Sequence, residues 1–203
     1  MGNSPIDYFP RTINGNWTYE FDNNPSDTVM FFVISPILNA IGNTYSIFMV
    51  DRDISTDSSG YYRKARQDYF RYMDMGDFIG FDKPLWGEYI FLKDTAAGVN
   101  WKSAAFQGTV TIAPSPPQPL IVRFSSTILQ KDVTVSLSTS SGTVNYSNVI
   151  VVEEKYDRFE SGNWVNISPV VGSLKRYYAR NIGLIKYEAV NGAGNITTLL
   201  ELR

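Results

Sequence analysis

The run Tyr177-Tyr178-Ala179-Arg180-Asn181-Ile182-Gly183-Leu184-Ile185-Lys186-Tyr187-Glu188 decides the fold of this 203-residue chain. Aromatic residues, a small-residue turn and an apolar strand follow one another there as one unit, the pattern of an antiparallel sheet and not of a catalytic motif. Downstream, Asn191-Gly192-Ala193-Gly194-Asn195 reads as a turn and residues 196–202 as its returning strand, so the chain closes on a hairpin. Upstream, residues 144–156 form a long strand carrying Val149, Ile150, Val151 and Val152, reached through a turn at 138–142. Before it, Leu120, Val122, Phe124 and Ile128 share one face of a strand over 120–129, and Val133, Val135 and Leu137 alternate in the partner expected to follow it.

The rest of the chain repeats this style. Four prolines between 113 and 119 make an exposed connection after a short strand at 109–112. Residues 69–73 and 89–92 read as strands, separated by an irregular stretch punctuated by Gly76, Gly80, Pro84 and Gly87. Toward the N-terminus, 17–21 alternates, 29–34 is a buried strand and 44–50 splits Tyr45, Ile47 and Met49 from Phe48 and Val50. A turn or short helical crossing is expected at 36–42 and a polar loop at 51–60. Numerous strands, short turns and few segments long enough for crossover helices predict a mainly β protein. The expected architecture is a single strongly bent antiparallel sheet, an open half-barrel with little helix. Residues 9–203 are expected to be one domain and residues 1–8 a flexible tail.

Hydrophobic residues make up 43% of the chain and aromatic residues 14%, enough for a substantial core. The formal charge of -2 offers no general attraction to phosphate backbones or anionic bilayers, so nucleic acid is not an expected partner. The chain has neither cysteine nor histidine. That excludes disulfides, the usual zinc sites, the Ser-His-Asp triad and Cys-His dyads, and leaves an enzyme only carboxylates, Lys, Tyr or Ser. No stretch approaches the roughly 20 apolar residues a spanning helix needs. Met1-Gly2-Asn3-Ser4-Pro5 reads as an expression start on a mature N-terminus, from which a leader and a lipid-carrying Cys have been removed.

Several constellations resemble chemistry and are better read as structure. Asp51-Arg52-Asp53-Ile54-Ser55-Thr56-Asp57 spaces oxygen donors as a calcium loop does, but Thr56 stands where the tight turn needs Gly and Tyr62 where a bidentate Glu belongs. Residues 61–72 interleave Tyr and Phe with Arg and Lys, a pattern that stacks bases or sugars. In a strand, however, the aromatics are expected inward and the charged stems outward. Glu153-Glu154 cannot flank one substrate, because neighbours in a strand point to opposite faces, and a solvated strand end is expected there. The glycines at 192 and 194 have no helix to follow them before the chain stops at Arg203. No catalytic, metal or cofactor residues are therefore assigned.

Tyr8-Phe9-Pro10, then Gly15-Asn16-Trp17-Thr18-Tyr19, then Tyr178-Ala179-Arg180-Asn181-Ile182-Gly183-Leu184-Ile185-Lys186 stand in an order that resembles a known group. The group comprises uncharacterised secreted or lipid-anchored proteins of the Bacteroidetes, similar to periplasmic lipoprotein-carrier half-barrels. Its small-residue turn between two late strands corresponds to Ser140-Ser141-Gly142-Thr143, where the group's usual Pro-Ala is replaced by Ser140-Ser141. The resemblance implies export to the periplasm or outer membrane and a curved sheet whose concave face holds something apolar.

The expected function is that of an exported, lipid-anchored, non-enzymatic module binding a lipid, a lipoprotein or a glycan, with membrane contact only through the anchor. Aromatic walls with few polar anchors suit such ligands. Trp17, Tyr19, Tyr69, Tyr72, Trp101 and Trp164 are the candidate ligand-binding residues. The rival readings are a carboxylate- or Tyr-based enzyme acting on glycans and a surface adhesion or assembly module.

Overall fold

A computed structural model describes residues 6–22, 24–52, 55–140 and 142–203, with the side chains of Pro36 and residues 52–59 left undescribed. Its strands are β1 (Asn16–Phe21), β2 (Asn24–Ala40), β3 (Asn43–Arg52), β4 (Ser55–Ala65), β5 (Asp68–Asp74), β6 (Trp86–Lys93), β7 (Asn100–Lys102), β8 (Phe106–Val110), β9 (Gln118–Thr139), β10 (Gly142–Glu160), β11 (Asn163–Asn166), β12 (Ser173–Ala179), β13 (Gly183–Val190) and β14 (Ile196–Leu202). Two short helices, α1 (Met75–Ile79) and α2 (Ser168–Val171), interrupt them. The strands form one sheet in the order β6-β5-β4-β3-β2-β1-β14-β13-β12-β10-β9-β7, with β8 also on β9 and β11 on β10.

Every pairing among the described residues is antiparallel and the sheet does not close, which makes it the open half-barrel the sequence predicts. The curvature has local causes. Register shifts interrupt the ladders at Glu20/Phe21, Phe48/Met49, Tyr69/Phe70 and Tyr177/Tyr178, and each such irregularity bends its strand and increases its twist. Beside the Phe48/Met49 shift, Gly60 has φ 140°, a conformation that side chains of L-residues rarely adopt.

The two ends of the sheet are laced by side chains instead of a ladder. The Trp101 indole on β7 donates to the Ile90 carbonyl on β6 at 2.8 Å, and Lys131 on β9 reaches Asp94 at 2.8 Å. Phe106 of β8 lies over Gly87 of β6 so closely that a Cβ at Gly87 would stand 2.7 Å from its ring. The concave face carries the main core, in which Tyr62, Tyr69, Phe91, Phe124, Ile150, Val152 and Tyr178 are buried.

The N-terminal segment plugs one end of this trough. Asp7 and Tyr8, expected in a flexible tail, are held in place: the Tyr8 amide donates to the Tyr69 hydroxyl at 2.8 Å and the Asn181 amide to the Asp7 carbonyl at 2.5 Å. Phe9 then stacks on Phe48 and packs at a tilt against Tyr62, with ring centroids at 4.9 and 4.8 Å.

The structure corrects several local expectations. Residues 36–40 belong to β2 and not to a turn or helix; Pro36, which has no N–H to give a ladder, falls where the β2–β3 register shifts between Ile34 and Leu38. Much of 51–60 is strand, with Val50 opposite Asp57 and Asp51 opposite Thr56, because backbone pairing needs no apolar side chains. Asp51 apart, the calcium-like run at 51–57 lies outside the residues whose side chains are described.

Residues 120–129 and 133–137 do not pair with each other. They are halves of β9, bent at Asp132 (φ 56°) and matched by a bend in β10 at Asn148 (φ 53°), a conformation Asp and Asn tolerate better than most residues. The bends fold the outer half of the β9–β10 hairpin over the convex face. There Leu137 is buried with Val149, Val151, Ala179 and Ile185, and the Ser140 amide at the hairpin tip donates to Glu20 of β1 at 3.0 Å.

Candidate functional site

Strand alternation places Trp17, Tyr19 and Phe21 of β1 on the concave side, and the same parity in neighbouring strands brings Phe31, Phe48, Tyr62 and Phe91 to meet them. Across the trough, Tyr178 and Leu174 of β12, Leu184 and Tyr187 of β13 and Leu200 of β14 complete a cavity of about 400 Å³. Phe9 and Pro10 bound it, and so does Phe78 of α1, which is 37% exposed and therefore stands at the rim. Phe78 is positioned by an edge contact with Phe124, centroids 5.9 Å apart. α1 is itself fixed by Asp74, whose Oδ1 accepts from the Gly76 and Leu85 amides at 2.8 Å each.

The apolar wall carries a small polar inset. Arg71 of β5, Tyr89 of β6 and Arg176 of β12 face the cavity. Behind Arg176, and not on the cavity surface, lies Glu154 of β10, fully buried, with its Oε2 3.2 Å from Arg176 Nη1. The pair is an ion pair without hydrogen-bond geometry: neither Glu154 oxygen nor Arg176 Nη1 has a hydrogen-bond partner among the described residues, and neither does the buried Tyr89 hydroxyl. Each guanidinium also rests near a ring, Arg71 over Tyr62 at 5.6 Å and Arg176 over Tyr187 at 5.8 Å.

Burial sets the protonation of this inset. It pushes the Tyr89 phenol up to about 12, with Glu154 adding to the rise and Arg71 and Arg176 opposing it, so Tyr89 is a neutral hydroxyl at neutral pH. For Arg176 burial disfavours the charge, but the Glu154 carboxylate outweighs it and holds the guanidinium cationic. Arg71 behaves alike: burial opposes its charge, Tyr62 and Tyr89 support it, and the positive charge of Arg176 works against it.

The six aromatic residues singled out by sequence go to different places. Trp17 and Tyr19 line the cavity, anchored through the Trp17 indole to the Ile182 carbonyl and the Tyr19 hydroxyl to the Leu184 carbonyl, both at 2.7 Å. Tyr69 is buried beneath the N-terminal segment. Tyr72 lies on the convex side among Tyr45, Tyr61 and Trp86. Trp101 bridges the sheet ends, and Trp164 packs outside on Phe159 with the Arg123 guanidinium 4.0 Å over its ring.

The polar inset was not foreseen. Glu154, expected at a solvated strand end, is buried because Arg176 arrives opposite Val152 on the neighbouring strand. Arg71, expected to point outward, shares the concave face with Tyr69 and Met73. The available signal was parity: Arg71 lies two residues from Tyr69 and from Met73, and Arg176 two residues from Tyr178.

No protein-family model matches the chain, and no curated protein does. Among solved structures, a "putative lipoprotein" from Parabacteroides distasonis ATCC 8503 is similar over 96% of each chain, with a TM-score of 0.54 at 10% identity. A "putative exported protein with YmcC-like fold" from Bacteroides fragilis NCTC 9343 matches over 96% of each chain, with a TM-score of 0.43 at 13% identity. At this identity the first likeness establishes a common fold.

Proposed function

We propose that this protein is an exported, non-enzymatic envelope module that holds a largely apolar ligand in the trough of its half-barrel. The observation that carries this reading is the cavity: about 400 Å³, walled by aromatic and aliphatic side chains, with Arg71, Arg176 and Tyr89 among its polar residues. That is the composition of a small-molecule site, in which apolar area supplies affinity and a few polar groups supply orientation. Acid–base chemistry on a glycan needs two carboxylates flanking the substrate. Among the described residues no carboxylate lines the cavity, and Glu154 is tied to Arg176 behind its wall.

Export and lipid anchoring are inferred from the fold shared with the Parabacteroides protein and from the residues that resemble secreted Bacteroidetes proteins. The natural gene is then expected to encode an apolar leader ending in Cys just ahead of Asn3, and a gene lacking both would remove the anchoring part of the proposal.

Ligand binding is tested by native mass spectrometry of protein purified without denaturant or organic solvent. A small-molecule adduct that disappears on organic extraction and is replaced by added dodecanol is the expected result. Protein of bare mass that takes up no dodecanol at any concentration overturns the binding function.

A further inference from the structure

We infer that the ligand is an amphipathic acid, whose carboxylate or phosphate lies against Arg71, Arg176 and Tyr89 while its apolar body lies along the aromatic wall. This deepens the binding function proposed above and depends on it. The residues with polar groups that line the cavity among the described residues are Arg71, Arg176, Thr198, Trp17 and five tyrosines, Tyr89 among them, with no carboxylate. A guanidinium carries five N–H donors in a planar fork that matches carboxylate and phosphate oxygens, so Arg176 has donors to spare after its contact with Glu154. The Tyr89 hydroxyl adds a buried donor with no partner among the described residues. A buried donor of that kind is an exception in native proteins.

Charge leads to the same ligand class. The positive charge of Arg176 works against that of Arg71, and Glu154, which offsets Arg176, stands behind the wall and not on the cavity surface; what remains of the repulsion is poorly screened in an apolar enclosure. An anion between them relieves it, a cation aggravates it, and a neutral headgroup leaves it in place. A fully polar anion would in turn waste the wall of Trp17, Phe31, Phe48 and Phe91, so the acid has to carry an apolar body.

Calorimetric titration with laurate, dodecyl phosphate, dodecanol and acetate separates these contributions. Laurate or dodecyl phosphate is expected to bind about ten- to a hundredfold tighter than dodecanol, the usual gain from hydrogen bonds to a charged group, and acetate not measurably. The preference should fall at least about tenfold in Arg71→Met. Because Arg176→Met alone strands Glu154, the second variant is the pair Arg176→Met with Glu154→Gln, checked for folding by circular dichroism. It too should bind dodecanol as before and lose the preference for acid. If dodecanol binds the parent as tightly as both acids, the acid assignment is wrong although the apolar site stands. If the acids keep their advantage in both variants, the headgroup site is elsewhere. If none of the amphiphiles binds, the binding function itself fails.

Discussion

On the concave face Glu154 meets Arg176 at 3.2 Å and neither of its oxygens has a hydrogen bond among the described residues. On the convex face Glu20, also buried, accepts both the amide and the hydroxyl of Ser140 and has Arg203 3.5 Å away. Its neighbours are as well supplied: Lys186 stands 3.1 Å from both Glu188 and Glu201, and the Tyr177 hydroxyl donates to Glu188 at 3.1 Å. One sheet thus buries carboxylates in two styles. Where the chain folds back over itself, its own donors complete the hydrogen bonding. Where it encloses a cavity, donors and acceptors stay partly unmatched, at a standing cost that a structural core has no reason to bear. That contrast is the reason a ligand is proposed for the trough and not for the fold-back.

The hardest test of that contrast is Arg176→Met. It removes the cation from a fully buried carboxylate, and breaking one half of a buried pair costs about 3–5 kcal/mol. Urea denaturation should show the midpoint fall accordingly, and adding Glu154→Gln should restore most of the loss, since the penalty comes from the orphaned charge. A single variant as stable as the parent would mean that Glu154 has other support. On the opposite face, Leu137→Ala should cost about 3 kcal/mol through the cavity it opens among Val149, Val151 and Ile185. It should leave amphiphile affinity unchanged, because the outer hairpin does not touch the trough. A loss of affinity comparable to the loss of stability would tie the two faces together and blunt the distinction.

Tyr89→Phe is a finer probe. Its hydroxyl makes no hydrogen bond among the described residues, so the unliganded protein should change by less than about 1 kcal/mol in either direction. The affinity for laurate should nevertheless drop. Thermal melts with and without laurate read both effects together, and equal melting shifts in the two conditions would remove Tyr89 from the headgroup site.

The same contrast explains how much the sequence disclosed. Strand identity was readable wherever one face is buried, as in Trp17, Tyr19 and Phe21 of β1, because alternation is a local property. The bend of the sheet was readable in kind but not in detail. Asp132 and Asn148 look like ordinary turn residues, and only tertiary packing decides that the chain bends there and continues as strand. The cavity aromatics Trp17 and Tyr19 were identifiable, whereas Tyr72 and Trp164 belong to the outer surfaces; composition alone says nothing of which face an aromatic occupies. Glu154 and Arg176 were hidden for a different reason. Their meeting depends on β10 and β12 lying side by side, with β11 and α2 in the connection, a non-local event that neither residue's neighbours announce.

The smallest expected effect lies at the tip of the fold-back hairpin and is best read against pH. The Ser140 hydroxyl and then its amide, both donating to Glu20, hold that carboxyl below the ordinary Glu value of 4.5, with burial opposing them and Arg203 assisting. A carboxyl whose value is depressed in the folded state contributes stability that is fully present above its unfolded value. That contribution is lost as the pH falls from there through the lower folded value. The parent should therefore lose stability below about pH 4.5 more steeply than Ser140→Ala, which keeps the amide bond and loses the hydroxyl. Near neutral pH the variant should be somewhat the less stable of the two, and the two curves should converge under acid conditions, where Glu20 is protonated in both. Urea midpoints collected from pH 7 to pH 3 decide the matter. Parallel curves across that range would mean that the hairpin tip rests on Glu20 without drawing on its charge, and that the convex face is held by the packing of Leu137 alone.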